Sequence, residues 1–323
     1  MKRVYIGAAG LVLAGAAWLF FHYYEIVGLD QVAVQPRTAV STTAASAVPA
    51  RATDAIRIAS FNIQVFGESK LQEPDVMEVL ANVVRQFDVV AIQEVRAKSQ
   101  DVLPRFVELI NAGGAQYDYV IGPRLGRTSS KEQYAFVFDR ATIEIDPRSL
   151  YTVEDPDDLL HREPFVAGFR ARGPPETAFT FTLINIHTDP DEVPQEMAAL
   201  DDVYRAVQRD GRNEDDVILL GDLNADDQAL GPLGAVSGIA WAISGTPTNT
   251  RGTKQYDNLL FHREATTEFT GQAGVLDLMR EFNLSQTAAL EVSDHLPVWA
   301  EFSTLENGRP GRIAIRPPEG ARQ

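Results

Sequence analysis

The chain contains no cysteine. That excludes disulfides, thiolate zinc sites and a cysteine nucleophile, and it fits either redox compartment. Positive charge is also scarce: 29 lysines and arginines stand against 45 aspartates and glutamates, a formal net charge of −16. A general electrostatic attraction to nucleic acid or to an anionic membrane is therefore not expected. A polyanionic substrate has to be met by a local cluster of arginines or by bound cations. Histidine is limited to five residues. No Gly-x-Ser-x-Gly elbow and no P-loop occurs, so nothing supplies a covalent nucleophile or a Walker-type phosphate cradle. No internal repeat is apparent.

Of the 323 residues, 45% are hydrophobic, enough for one large core or two ordinary ones. Lys2-Arg3 precede an uncharged run from Val4 to Tyr24 that ends in the aromatic cluster Trp18 to Tyr24. Such a run can span a bilayer as a helix, with its basic end in the cytoplasm and its aromatics at the far interface. The rival reading is a cleaved signal peptide, with Ala14-Gly15-Ala16 as the small-x-small site. Cleavage there leaves a terminus starting with Trp, Leu and Phe, so an uncleaved anchor over 1–24 is preferred. Both readings export everything that follows. Residues 25–53, rich in Ala, Thr, Ser, Val and Pro, read as a flexible linker. The tail over 304–323 carries Gly, Pro and scattered Arg and reads as disordered.

Between them, 54–303 reads as one domain of alternating strands and helices. Ile56–Ile63 alternates like a strand, and Pro74 opens a helix with Val76, Val79, Leu80, Val83, Val84 and Phe87 on one face. Asp88–Glu94 is a buried strand, followed by a helix near Val102–Ile110 and strands near Tyr117–Ile121 and Tyr134–Phe138. Further strands are expected near Val166–Phe169, Phe179–His187, Val217–Leu220, Tyr256–Phe261 and Val298–Phe302, with a one-faced helix over 193–207. So many strands with few helices argue for a layered α/β domain, two sheets face to face with helices outside.

Several of these strands end in residues that suit chemistry. Val217-Ile218-Leu219-Leu220 breaks at Gly221 into Asp222-Leu223-Asn224, whose two polar side chains point the same way if the strand continues. Gly-Asp-x-Asn is equally good turn chemistry. Glu94 ends an apolar strand, where a carboxylate needs a cation or a donor; a salt bridge to Arg96 or Lys98 is the plainer account. His187 and His295 stand at polar strand ends, His295 directly after Asp294. Taken singly, each is more often a satisfied surface or capping histidine; an imidazole held by a carboxylate is a better base or charged acid. Asp257, inside an apolar strand, is expected to pair with one of them. With Asn62, these residues are the inventory for metal-assisted attack of water on a phosphoester. Oxygen donors without thiolates suit Mg²⁺, Mn²⁺ or Ca²⁺ rather than zinc.

At five blocks the sequence resembles the endonuclease/exonuclease/phosphatase superfamily, and within it the deoxyribonuclease I group. These are Ala59–Lys70, Ile92–Arg96, Gly126–Glu132, Gly221–Asp226 and Ser293–Val298, in an order that holds from Ile56 to Phe302. The resemblance implies a four-layer α/β/β/α sandwich of two packed, mainly antiparallel sheets with outer helices, its site at one rim. It implies that Glu94 is a ligand of a divalent metal, Mg²⁺ or Mn²⁺, with Asn62 and Asp294 nearby. Asp222 and Asn224 would contact the scissile phosphate, a metal or the attacking water. His187 would pair with Glu132 and His295 with Asp257 as the acid–base couple, and Arg162 would meet a substrate phosphate.

Some positions depart from that pattern. Gln64 stands where an arginine is usual and Ser130 where an aromatic packs on a deoxyribose, leaving Arg96 and Arg127 to enter or flank a groove. The group's two disulfides are absent. Glu154-Asp155-Pro156-Asp157-Asp158 falls where relatives hold a structural Ca²⁺. The expectation is an exported, membrane-tethered, Mg²⁺-dependent nuclease with DNA as substrate and no inferable protein partner. The alternatives are a phosphoesterase acting on a phospholipid headgroup or a phosphomonoester, and a catalytically weak surface binding module.

Overall fold

Inward and outward residues alternate along β1 (Ala55–Phe66), and this parity organises the molecule. Ile56 and Ile58 face a core between two sheets, whereas Phe61 and Ile63 face a layer of helices. The computed structural model describes residues 52–127 and 131–306. The expected anchor (1–24), the linker (25–53) up to residue 51, the tail beyond 306 and Ser130 lie outside the described residues. Among the described residues no helix is long and apolar enough to cross a membrane.

In chain order, β1 is followed by a 3₁₀ turn (Lys70–Gln72), α1 (Pro74–Val84), β2 (Val89–Val95) and α2 (Val102–Asn111). Then come β3 (Tyr117–Ile121), β4 (Gln133–Asp139), β5 (Ile143–Thr152), β6 (Phe165–Ala171) and β7 (Thr180–His187). The second half holds α3 (Val193–Gln208), β8 (Val217–Asp222), the short α4 (Gly231–Gly234), β9 (Ile239–Trp241) and β10 (Asp257–His262). It ends with β11 (Phe269–Val275), α5 (Leu278–Glu281), α6 (Gln286–Val292) and β12 (Val298–Ser303). The strands form two six-stranded sheets, ordered β11-β12-β1-β2-β4-β3 and β5-β6-β7-β8-β10-β9. Each sheet is antiparallel except for one central parallel pair, β1–β2 or β7–β8. Each parallel pair is joined through a helix, α1 or α3 (a crossover, as parallel neighbours require).

Three apolar layers hold the four structural layers together. Between the sheets lie Phe136, Phe165, Phe169, Phe181, Phe179 and Phe302, in successive ring contacts of 4.9–6.0 Å. Each such ring, once buried, contributes roughly 1.5–3 kcal/mol from apolar area. One outer layer packs α1 and α2 on the first sheet through Leu80, Val84, Phe106 and Ile110. The other packs α3 on the second through Met197, Leu200, Val203 and Tyr204. The result is the α/β/β/α sandwich.

The parity of the inner face then positions the polar residues. In β1, Ile56 and Ile58 are followed inward by Ser60 and Asn62; in β7, Phe181 and Leu183 are followed by Asn185 and His187. Ile218 and Leu220 lead to Asp222 in β8, Phe261 and Leu259 lead back to Asp257 in β10, and Phe136 and Tyr134 lead back to Glu132. Both sheets thus turn from apolar to polar at the same rim. Just inside it Gln93 donates to Asn185 Oδ1 (2.7 Å) and lies against Ser60.

The boundary drawn at residue 303 runs a little short. Thr304 donates its backbone N–H to Asp54 O (2.8 Å) and Glu306 to Thr177 O (2.8 Å), so the first residues of the expected tail are fixed to the sandwich.

Candidate active site

Glu94 breaks the inward parity, and the backbone shows how. The β1–β2 register shifts between Asn62 and Phe66, and the β2–β4 register between Ile92 and Val95. Within these bulges Val65 and Glu94 take positive φ angles of 49° and 62°, an arrangement that costs of order 1–3 kcal/mol per residue and gathers at functional sites. The bulge turns the Glu94 carboxylate to accept from Val65 N (2.9 Å) and Asn62 Nδ2 (3.3 Å), with Arg96 at 3.1 Å. The same Asn62 Nδ2 donates to Asp222 Oδ2 (2.9 Å). Asn62 Oδ1 is buried and makes no hydrogen bond among the described residues.

Two imidazoles meet at Asp222. His187 Nδ1 lies 2.7 Å from Glu132 Oε1, and His295 Nδ1 lies 2.9 Å from Asp257 Oδ2. Their Nε2 atoms sit 3.4 Å and 3.5 Å from one atom, Asp222 Oδ2. β7 and β8 are in parallel register with His187 opposite Asp222, and β10 is antiparallel to β8 with Asp257 opposite Asp222. The pairing of three strands therefore delivers the cluster. Asn224, at φ 47°, folds back so that its N–H meets Asp222 Oδ1 (2.9 Å) and its amide meets Thr188 O (2.9 Å).

The electrostatics follow from that geometry. Burial opposes charge on His295, but Asp257 and Asp222 outweigh it and push its pKa up to about 10. Burial likewise opposes charge on His187, and Glu132 raises it. Asp222 is held below the usual carboxylate range, since His295 and His187 overcome its burial. Glu132 is held low against its burial by His187 and by the nearby arginines. Asp257 is raised, chiefly by burial. Thr248 Oγ1 donates to it (2.7 Å).

These groups face a cleft of about 290 Å³ whose lining includes Glu94, Arg96, Arg162, His187, Asp222, Asn224 and His295. Arg162 is buried in it, 3.2 Å from Glu132 and donating to His187 O and Thr188 O. Asp294 accepts from Gln64 Nε2 (3.0 Å). Lys70 donates to Gln64 O and Val292 O; burial lowers its pKa to about 8, with Asp294 and Glu94 opposing that shift. Arg127 is not brought to the cleft: it pairs with Asp158 (3.1 Å) and Glu192 (2.7 Å) on the surface. The acidic loop 154–158 spends Asp155 on Leu160 N and Asp158 on Arg127. Its carboxylates form no cation-sized cluster among the described residues.

A larger cleft of about 510 Å³ along β5 and β6 carries Arg148, Arg170 and Arg212, but these are paired with Asp146, Glu144 and Asp210. It holds no imidazole and no comparable convergence.

Sequence reasoning passed over several residues here. Ser293 Oγ donates to Asn62 O (2.7 Å) and accepts from His295 N (3.1 Å), tying the loop before β12 to β1. Tyr134 Oη accepts from His187 N (2.9 Å). His161, 3.2 Å from Asp189, also lines the cleft. The inward parity of Tyr134 was readable in its strand; the other two lie on loops, whose placement carries no periodic signal.

A family model described as Endonuclease/Exonuclease/phosphatase family matches residues 59–295. The chain belongs to that family. It is 34% identical over 275 residues to the deoxyribonuclease-1-like 2 of Mus musculus, covering 81% of this chain and 97% of that one. With the deoxyribonuclease-1-like 1 of Mus musculus it shares 32% over 261 residues, 78% of this chain and 81% of the relative. Within the family it falls in the deoxyribonuclease I-like group, and it is a phosphoester hydrolase. A structure of humanized D. rerio TDP2 shares the fold at a TM-score of 0.56, with 14% identity over 78% of this chain and all of that one.

Proposed function

We propose that the chain is an endonuclease that hydrolyses DNA phosphodiesters by direct attack of water, with Mg²⁺ (or Mn²⁺) as cofactor. The observation that carries this reading is the convergence of two carboxylate-held imidazoles on the single atom Asp222 Oδ2. A phosphorus atom bracketed by them has a proton acceptor for water on one side and a proton donor for the leaving oxygen on the other. His187–Glu132 and His295–Asp257 are the two couples. Asp222 and Asn224 orient the water and the phosphate between them, and Arg162 stiffens the His187 couple through Glu132. Arg96, at the mouth, meets the substrate backbone.

The residues present fit a hard cation. Asn62 Oδ1 is buried without a hydrogen bond beside the Glu94 carboxylate, and the nearby donors are oxygens with no sulfur. Glu94 and Asn62 would hold the ion in this reading, with Asp294, which like Glu94 acts electrostatically on Lys70, as a further candidate ligand. When bound, the cation neutralises charge developing on the phosphoryl oxygens. Asp222, Asp257 and His295 also lie within ligand distance of one another. His295 and Asp257 already bond each other, so that trio is assigned to proton transfer. Calcium at 154–158 forms no part of this proposal, because Asp155 and Asp158 are spent on Leu160 N and Arg127 and the loop's carboxylates form no cation-sized cluster among the described residues. DNA as substrate is supported by the relatives named deoxyribonucleases. The uncharged run after Lys2-Arg3 supports a membrane anchor with the domain exported. The exported side is periplasmic or extracellular; digestion of the domain by protease added to cells stripped of any outer envelope but with a sealed inner membrane tests it, and protection would overturn it.

The enzymatic test is incubation of the full chain with supercoiled plasmid, and separately with sphingomyelin or phosphoinositide vesicles. Plasmid should be nicked with Mg²⁺ or Mn²⁺, and EDTA should stop it. Hydrolysis of the lipids without nicking would overturn the substrate, and nicking indifferent to EDTA would overturn the cofactor.

A further inference from the structure

The cleft contains a third imidazole–carboxylate couple that the acid–base reaction does not use. His161 is buried to 8% exposure, and its Nδ1 lies 3.2 Å from Asp189 Oδ2. The couple is built rather than incidental. Glu196, in the first turn of α3 and 1% exposed, accepts from His161 N (2.9 Å) with one oxygen and from Asp189 N (3.3 Å) with the other. One buried carboxylate thus clamps the β5–β6 loop that carries His161 to the β7–α3 loop that carries Asp189. Such a clamp costs desolvation, and it fixes the position of a ring whose Nε2 makes no hydrogen bond among the described residues.

The arginines near the cleft already have carboxylate partners. Arg162 is spent on Glu132 and two backbone carbonyls, and Arg96 lies against Glu94 and Glu132. Arg127 is held at the surface. In a chain of net charge −16, a polyanion has to be met by a donor placed for it. The reacting phosphate is bracketed by groups from β7, β8, β10 and the loop before β12, whereas His161 comes from the loop wall beside Asp189 and Pro190.

We propose that His161 is a substrate-positioning residue, donating from Nε2 to a non-bridging oxygen of the phosphate next to the scissile one. This site therefore selects a polynucleotide strand over a substrate with a single phosphate. The inference rests on the nuclease reading above.

The test uses duplex oligonucleotides, either native or carrying one neutral methylphosphonate on either side of a mapped cleavage position. His161→Ala should raise KM for native duplex about 10-fold, the cost of a lost charge-assisted hydrogen bond, with kcat changed less than threefold. His161→Gln, which keeps a side-chain donor, should recover most of the KM. On the duplex modified at the contacted phosphate, wild type and His161→Ala should have similar KM, because the contact is already gone. Losses that multiply on every modified duplex, or a fall in kcat for His161→Ala, would overturn the assignment. So would a His161→Gln variant with wild-type melting temperature that recovers nothing. Failure of the wild type to cut any DNA overturns the nuclease reading itself and this inference with it. A normal His161→Ala on a competent wild type overturns this inference alone.

Discussion

Asp222 is shared by two imidazoles, each of which already has a carboxylate of its own. That three-way competition holds His295 charged far above the usual imidazole range. Replacing Asp257 by Asn removes the larger of the two attractions, so the His295 pKa should fall from about 10 toward about 6.5. Titration of its ring proton by NMR reads this directly, and an unchanged midpoint would reassign the shift to Asp222. At the neighbouring group, Glu94→Gln should raise the Mg²⁺ concentration for half-maximal activity at least 10-fold, as expected when a carboxylate ligand loses its charge. An unaltered Mg²⁺ titration would remove Glu94 from the cation site. Much of this cluster was legible in the sequence, because a carboxylate such as Glu94 or Asp257 in an apolar strand demands a partner. Glu132 was reached only through family resemblance, and the ion pairs of Arg127 with Asp158 and Glu192 had no signal in the sequence because they are made by loops.

The parallel pair β7–β8 is the element on which the site depends most. At Gly221 the backbone has φ 153°, and an added Cβ would lie 1.9 Å from Ile186 O. Only glycine lets β8 approach β7 at the point where His187 and Asp222 leave the sheet. Gly221→Ala must push the strands apart, so a loss of several kcal/mol of stability is expected, roughly 3 or more. Chemical denaturation measures it, and a wild-type midpoint would show that the contact relaxes cheaply. The long periodic elements were readable: α1, α2, α3 and the apolar central strands. β5, β9, β11 and α6 were not. β5 carries Pro147 and a register shift with exposed charges, β11 holds two glycines, and β9 has three residues. α6 is seven residues long and buries only Ala289 and Val292, too short a stripe for a helical period to register.

At the scale of the molecule, two β–helix–β halves face each other and bring the ends of their parallel pairs to one rim. The charges gathered there make stability depend on pH. His295 has a folded pKa raised to about 10, so its contribution is fully present below about 6.5 and is lost as pH rises through 10. Buried Glu196 and Asp216, raised to about 7 and about 9, act in the same direction, since the unfolded chain releases their protons earlier. The melting temperature should therefore fall between pH 6 and pH 10, less steeply for His295→Gln. A flat wild-type profile would contradict the charge assignments. The central claim is that the two imidazoles act on one phosphate at one point. Its most direct test is the nicking rate of His187→Gln, His295→Gln and the double variant against wild type. Each single change should lower kcat by about 10²–10⁴, and the double should fall no more than about 10-fold further. Single variants near the wild-type rate, or single losses that multiply in the double variant, would contradict it.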